Sequence, residues 1–336
     1  MQENKVIYSH NKVETMKKAF IITVYQLPNQ LNVFIEQILQ DKDSEIYIHV
    51  DMKFDYIIPE IKKDKRVHIY DKSIKVFWGS DENIKVALVM YNEVVNSNVD
   101  YEYVLFCSGQ DLIVRKGLDE FLEQHKGEPF IGCLEDDFYE RYNKSQTLYK
   151  WSSIFRRHYG NRTHPIRLLR GFYRKLLMTG KCPFFKKKLS LDVSRLKFNY
   201  FNYAWPVLPM DMVEYLVDYI NKNPDYMQLF SGAFDPEEMF YGIFYMNSPF
   251  RNRIKFKKKN FKAKNSIVDN WGMWSESLLF QYKQNDNENH PPILLMEDIP
   301  AIEASSCFIA RKFDERVDKD VIEYFRKKIC EESTIH

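Results

Sequence analysis

The sequence predicts an α/β protein with a doubly wound, mostly parallel sheet and helices on both faces. Short β-branched apolar runs recur through roughly the first 130 residues, and stretches with apolar residues at helical spacing alternate with them. That alternation implies right-handed crossovers between parallel strands. Ligands of such sheets bind beyond the carboxyl ends of the strands, so the residues that follow each run are the first candidates for function.

Residues 1–16 are polar and aperiodic and read as a loose tail. AFIITVY (19–25) is the first strand, apolar on both faces as a central parallel strand is. Pro28 opens a helix with Leu31, Phe34, Ile35 and Ile38 at helical spacing. EIYIHVD (45–51), ending on His49 and Asp51, and VHIY (67–70) are the next strands. Ser80 is placed to cap a helix carrying Ile84, Ala87, Leu88, Tyr91 and Val95, and YEYVLF (101–106) follows as a strand. The loop CSGQD ends at Asp111, and PFIGCL (129–134) comes after a further helical stretch. FNYAWPVLPMDMVEYLVDYINKNP (201–224) reads as a strand and then a helix with Met212, Tyr215, Leu216 and Tyr219 on one face. PAIEASSCFIARKFDERVD (300–318) contains a strand running into Arg311 and Lys312. With no linker and no internal repeat, the expected division is one domain over 17–320, then a C-terminal helix and tail over 321–336.

Of 336 residues, 45% are hydrophobic and 15% aromatic, enough for a sizeable core and for surfaces that stack on rings. Abundant Lys, Ile and Asn suit an AT-rich bacterial genome. Five cysteines, odd in number and without CxxC spacing, point away from a disulfide framework or a zinc site and toward a reducing compartment. No signal-like apolar segment opens the sequence and no run reaches the roughly 18 apolar residues of a membrane span. The expected location is cytoplasmic, with association at the inner face of the cell membrane as an option. GxGxxG and GxxxxGK[ST] are both missing.

The net charge of +2 conceals an asymmetry, since Arg141 to Leu191 holds fourteen Lys or Arg and no acid, interleaved with aromatic residues. FRNRIKFKKKNFKAK (250–264) repeats the pattern. One reading is a solvated basic face balanced by acids elsewhere; the other is a surface for nucleic acid, an anionic membrane or a phosphate-bearing substrate. No nucleic-acid motif accompanies the charge, so an anionic membrane surface ranks above nucleic acid, which is not expected as a partner.

SGAFDPEEMFYGIFYMNS (231–248) puts carboxylates at the mouth of an apolar helix. Asp235 reads as the N-cap and Pro236 as the first helical residue, with Glu237 and Glu238 in the first turn, where the helix dipole favours negative charge. Asp235 and Glu238 also have the spacing of a capping box, so a purely structural role stands beside a chemical one. Asp51 and Asp111, at strand ends, are helix caps or ligand groups on the same footing. LEDDF (134–138) gathers Glu135, Asp136 and Asp137, which suits a magnesium or manganese ion, a solvated turn or hydrogen bonds to a sugar acceptor. Trp205, Tyr203 and Trp78 are platforms for a sugar or a base, or core aromatics.

Six pieces, IYIHVD (46–51), VFWGSDENIKVAL (76–88), YEYVLFCSGQDLIV (101–114), FNYAWPVLPMDMVEYL (201–216), DPEEMFYGIFYMNS (235–248) and FIARKFD (308–314), resemble in order and spacing the core-2/I-branching β-1,6-N-acetylglucosaminyltransferase family, which also contains the peptide O-xylosyltransferases. The resemblance covers about residues 19–318. It implies a GT-A-type fold, with a nucleotide-binding half over about 17–135 and an acceptor and catalytic half over about 136–320. It implies a nucleotide-side role for Asp51 and a donor-side role for Asp111, which stands at the aspartate of the family's LCGMDFPI-like loop. The family's catalytic glutamate, in PDE, matches Glu238, with Glu237 where Asp is usual, and Glu237, Trp205 and Tyr203 fall on the acceptor side. The cation that holds the donor diphosphate matches Lys312, with Arg311 beside it. A second diphosphate-binding arginine has no counterpart here, His290 lying in about the right region, and a His common after the first strand is Tyr25 or Gln26.

The implied function is inverting transfer of a sugar, GlcNAc from UDP-GlcNAc in the first instance, to a hydroxyl of a glycan or lipid-linked glycan in surface-polysaccharide or glycoconjugate synthesis. Transfer of xylose or another sugar from its UDP donor on the same fold is the alternative, and a noncatalytic glycan-binding module is a third. Such a transfer needs a base for the acceptor proton and positive charge for the departing diphosphate. The family is metal-independent, so neither Mg nor Mn is expected, and Lys312 with Arg311 would stand in for the ion.

Overall fold

The computed structural model describes residues 16–157, 159, 163–202, 205–254, 256–258, 278–281 and 292–331. The first half runs β1 (Lys18–Val24), α1 (Pro28–Ile38), β2 (Ser44–Val50), β3 (Val67–Ile69), α2 (Glu82–Asn96), β4 (Tyr103–Ser108), β5 (Leu112–Ile113), α3 (Leu118–Gln124) and β6 (Cys133–Glu135). The second runs α4 (Asp137–Thr147), α5 (Pro165–Met178), β7 (Tyr200–Asn202), β8 (Val207–Pro209), α6 (Met210–Lys222), α7 (Glu237–Met246), β9 (Phe256–Lys258), β10 (Leu279–Phe280), α8 (Ile299–Ala304), β11 (Ile309–Ala310) and α9 (Lys319–Cys330).

The main sheet has the order β3-β2-β1-β4-β8. The first four strands are parallel and β8 is antiparallel at the edge, so the mixed α/β fold has a parallel-rich centre. The period of two in the strands sorts their side chains into two layers. Phe20, Ile22, Val24, Ile46, Ile48, Val50 and Leu105 face a core shared with α1 and α9. Ala19, Ile21, Tyr47, Val104 and Phe106 face a second core built with α2, α6 and α7. Helices thus cover both faces, as the buried-on-both-sides composition of β1 requires.

Some expectations shift by a residue or a role. Asp81 rather than Ser80 occupies the N-cap position of α2, and it makes no side-chain cap bond there. The Ser80 hydroxyl instead donates to the Phe77 carbonyl at 2.5 Å. PFIGCL is not a strand beside β4, a place taken by β8; Phe130 makes only a single antiparallel bridge to Val207 of β8, and Cys133 and Leu134 join a small sheet of order β7-β6-β9. The C-terminal helix α9 starts at Lys319, capped by the Asp318 carboxylate, and buries Val321, Ile322, Phe325 and Ile329 in the first core. All five cysteines are free thiols. Among the described residues no helix is long and apolar enough to cross a membrane.

Candidate active site

The carboxyl ends of β2, β1 and β4 lie side by side, with Val50 beside Val24 and Ser108 beside Thr23. Because β8 runs the other way along β4, its approach begins at this same edge, where the Phe106 N–H donates to the Pro206 carbonyl at 3.1 Å. Trp205 is thereby set 5.8 Å from the Phe106 ring. The end of β11 supplies Arg311, whose guanidinium lies 3.9 Å over the Trp205 ring, and whose Nε is 3.3 Å from Asp111 Oδ1. Asp111 also accepts from the Ser108 N–H at 2.8 Å and the Ser108 hydroxyl at 2.6 Å.

The Asp111 side chain is 1% exposed and closed in by Ser108 and Arg311. Burial pushes its carboxyl up, with Arg311 pulling the other way. Trp205, expected toward an acceptor, is engaged by Arg311, a donor-side residue by the same expectation. Lys312 is the cation left unengaged, with no hydrogen bond or ion pair from its ammonium to the described residues. Burial, and then the neighbouring Arg311, lower its pKa.

Asp51 and His49, at the end of β2, hold a loop. The Ile74 N–H donates to His49 Nε2 at 2.9 Å, so that ring nitrogen carries no proton, and burial drops the His49 pKa to about 4. Asp51 Oδ1 accepts from the Lys53 N–H at 3.0 Å and the Val76 N–H at 3.4 Å, and Oδ2 faces the Lys53 ammonium at 3.1 Å. The capping role foreseen for Asp51 is realised in the turn Met52–Glu60. Three residues beyond Val76, Gly79 receives the backbone N–H of Asp235 on its carbonyl at 3.0 Å.

At that point the acidic helix start appears. α7 begins at Glu237 with Pro236 in the cap position, and no side chain makes a cap bond there. The expected Asp235 cap and capping box do not form, because Asp235 takes a left-handed backbone, φ 48°, that turns its carboxylate away from the first helical N–H groups. Glu237 Oε1 accepts from Asn83 at 2.9 Å, while Oε2 is buried without a partner. Asn202 clamps the turn, donating to the Glu237 carbonyl at 2.9 Å and accepting from the Gly242 N–H at 2.7 Å. The Glu238 N–H donates to the Asp235 carbonyl at 3.3 Å, whereas its carboxylate makes no hydrogen bond or ion pair among the described residues.

Asp235, Glu237 and Glu238 are each partly buried as residues. Burial, and then Glu237, raise the Glu238 pKa to about 8. Burial raises Glu237 to about 7, its Asn83 bond opposing. Asp235 is raised well above the carboxylate range by burial and by the two glutamates, and Arg170 and Arg174 of α5 oppose that shift. The Arg170 guanidinium sits 4.4 Å over Phe234, and that of Arg174 lies 5.4 Å from the Tyr142 ring. Sequence reasoning missed Asn83, Asn202, Arg170 and Arg174. The i, i+4 spacing of the two arginines on a helix facing an acid cluster is a signal that could have found them.

Two short tethers join the acidic turn to the sheet edge. Val76 to Gly79 and Asn202 to Trp205 each span at most about 11 Å of chain. The first joins Asp51 to Asp235, and the second joins the Glu237 turn to Trp205 and Arg311. Asp51, Asp111, Trp205, Arg311, Lys312 and the Asp235–Glu238 turn thus lie on one side of the molecule. The LEDDF acids do not join as a cluster: Asp136 caps α4, and Glu135 accepts from Asn199 at 3.0 Å. Among the described residues no group of three or more His, Cys, Asp or Glu is placed to hold a metal. Trp78 packs edge-on against Phe234 at 5.8 Å. Tyr203 and His290 lie outside the described residues.

Gly79 is the closest point of this junction. It has φ +66°, and a Cβ there would lie 2.5 Å from Asp235 Oδ1. Gly79→Ala is expected to destabilise by about 1–3 kcal/mol in denaturant titration, through a left-handed backbone and a carboxylate that must move. A neutral effect would mean that Asp235 is loosely held.

No protein-family model and no curated protein matches the chain. Among solved structures it is similar to 4-diphosphocytidyl-2C-methyl-D-erythritol synthase from Anaerococcus prevotii, with 12% identity over 74% of this chain and 91% of that one, at a TM-score of 0.31. It is also similar to a protein from Bacillus anthracis named as a glucose-1-phosphate thymidylyltransferase, with 9% identity over 72% and 87%, at a TM-score of 0.30. At TM-scores this low the two likenesses carry no chemistry over to this chain.

Proposed function

We propose that the protein is an inverting glycosyltransferase of the core-2/I-branching kind, on a GT-A-type fold, that moves GlcNAc from UDP-GlcNAc to a glycan hydroxyl in surface-polysaccharide or glycoconjugate synthesis. The observation that carries this reading is Glu238: a carboxylate with no hydrogen bond among the described residues and a raised pKa, on the first turn of a helix tethered to a strand edge that bears fixed cations. In the reaction the acceptor oxygen bonds to the anomeric carbon as the bond to the diphosphate oxygen breaks. The hydroxyl proton passes to Glu238, and UDP leaves with the bonding pair. Lys312 meets the diphosphate charge, while Asp111 orients Arg311 over Trp205 behind it. With these fixed cations the transfer proceeds without a divalent metal. The donor-side edge and its flanking turn suit a nucleotide sugar generally, so another UDP-sugar remains the second choice of donor.

UDP release from a panel of sugar nucleotides, with EDTA and with Mn²⁺, tests the reading even in the absence of the acceptor. Turnover of UDP-GlcNAc that survives EDTA is the expected result. Strict dependence on Mn²⁺ would overturn the role given to Lys312, and absence of both turnover and UDP binding would leave a glycan-binding module. The pH profile is a second test. A base must be ionised to act, so kcat/KM should rise with pH and level off above about 8, following the raised Glu238. A profile already flat at pH 6 would remove Glu238 from the base role.

A further inference from the structure

Helix α5 keeps one face toward the carboxylates and turns another, apolar one to solvent. Leu168, Leu169 and Phe172 are 63%, 57% and 68% exposed, and Leu176 is exposed with them, whereas Leu177 across the helix is buried. At 3.6 residues per turn these four outward side chains fall within about 100° of arc. The surface continues onto the turn Pro183–Phe185, because Phe185 packs edge-on against Tyr173 of α5 at 5.5 Å, and its neighbour Phe184 is 92% exposed. Scattered single apolar residues are ordinary on a protein surface, but a contiguous stripe of this kind marks a contact.

The charge around the stripe says what the contact is. Lys175, Lys181, Lys186 and Lys188 are exposed beside it in the chain, and residues 141–191 contain no acid. Aliphatic and aromatic groups outward with lysines along the flank are the complement of an anionic bilayer, the former at the acyl boundary and the latter at the phosphates. A second copy of the chain would set the same positive charge against itself, and a nucleic acid would leave the leucines in water. We propose that α5 and the Pro183–Phe185 turn seat the protein on an anionic membrane surface, apolar face down. Since Arg170 and Arg174 of the same helix face Asp235, the acidic turn would lie close to that surface, within reach of a lipid-linked acceptor; this last step rests on the transferase reading.

The test is co-sedimentation of the whole chain with phosphatidylcholine vesicles, with and without about 30% phosphatidylglycerol, at low salt and at about 0.5 M salt. Binding at least about tenfold tighter to the anionic vesicles is expected, falling at least about tenfold in a Leu168→Glu, Phe172→Glu double variant of unchanged Tm. Binding to neither vesicle overturns the proposal. So does anionic binding that the double variant retains, which is adsorption by charge alone, or a dimer that only the double variant splits, which makes the face a contact between copies. Equal competition by inorganic phosphate would assign the lysines to free anions and also overturn it. Donor hydrolysis in solution should be the same in the double variant and the parent, so loss of vesicle binding and loss of catalysis are read separately.

Discussion

Glu238→Gln is expected to lower turnover about 100-fold or more while UDP affinity stays nearly unchanged, because the substitution removes a proton acceptor and leaves the donor-side edge intact. Single-turnover rates and UDP titration measure the two sides of that statement. A structural role would give a different result: a capping residue replaced by a poorer one costs about 1 kcal/mol of stability and spares the chemistry of the folded molecules. The uncapped start of α7 argues for the first outcome. Stability supplies an independent sign. With Glu238 raised to about 8 from an ordinary 4.5, the folded state holds a proton that the unfolded chain has released. The stability contributed by that proton is full below pH 4.5 and is lost as pH rises through 8. Thermal melts should therefore drop from pH 5 to pH 8, and less so in Glu238→Gln. A steeper drop in the variant would contradict the assigned protonation.

Arg311→Met should be the most damaging single change for folding, at about 3–5 kcal/mol, because it strands the Asp111 carboxylate in the interior. The loss also removes a cation from the face of Trp205 and weakens UDP binding. Chemical denaturation of Arg311→Met, Asp111→Asn and the pair forms a double-mutant cycle. The double variant should recover a good part of the stability, since neither buried charge then lacks its partner. Additive losses would mean that the two groups do not depend on each other. Recovery of stability without recovery of UDP binding would separate the support given by Asp111 from the contact made beyond it.

The strands and helices were legible where period and burial agree. AFIITVY is buried on both sides as β1, and Leu31, Phe34, Ile35 and Ile38 all point into the core from α1. The edge strand β8 was harder to read, because an antiparallel partner for β4 that arrives after a long excursion leaves only VLP as its trace. It displaced PFIGCL from the place that simple alternation gives it. For the candidate site, residue types at strand ends pointed to Asp51, Asp111 and the Arg311–Lys312 pair, but not to how deeply each is buried. Asp111 is enclosed and Lys312 only partly so, and burial is a property of the folded surroundings that a single sequence position does not carry. The same holds for Asp235, which takes a left-handed backbone where it packs against Gly79, a residue distant in sequence.

The antiparallel edge has a kinetic consequence. Leu105 pairs with Val207, a separation of about a hundred residues, whereas β1 reaches β2 through a single helix. Closing the longer loop has the larger entropic cost, so the parallel core can assemble while the region from β5 to β7 is still unsettled. Trp205 and the Asn202 clamp are delivered only when β8 docks. Half-made chains leaving the ribosome would therefore carry His49 and Asp51 in near-final positions before Trp205 and Asn202 are in place. The placing of Trp205 and Asn202 is in this sense a late event of biogenesis, following the last pairing of the main sheet.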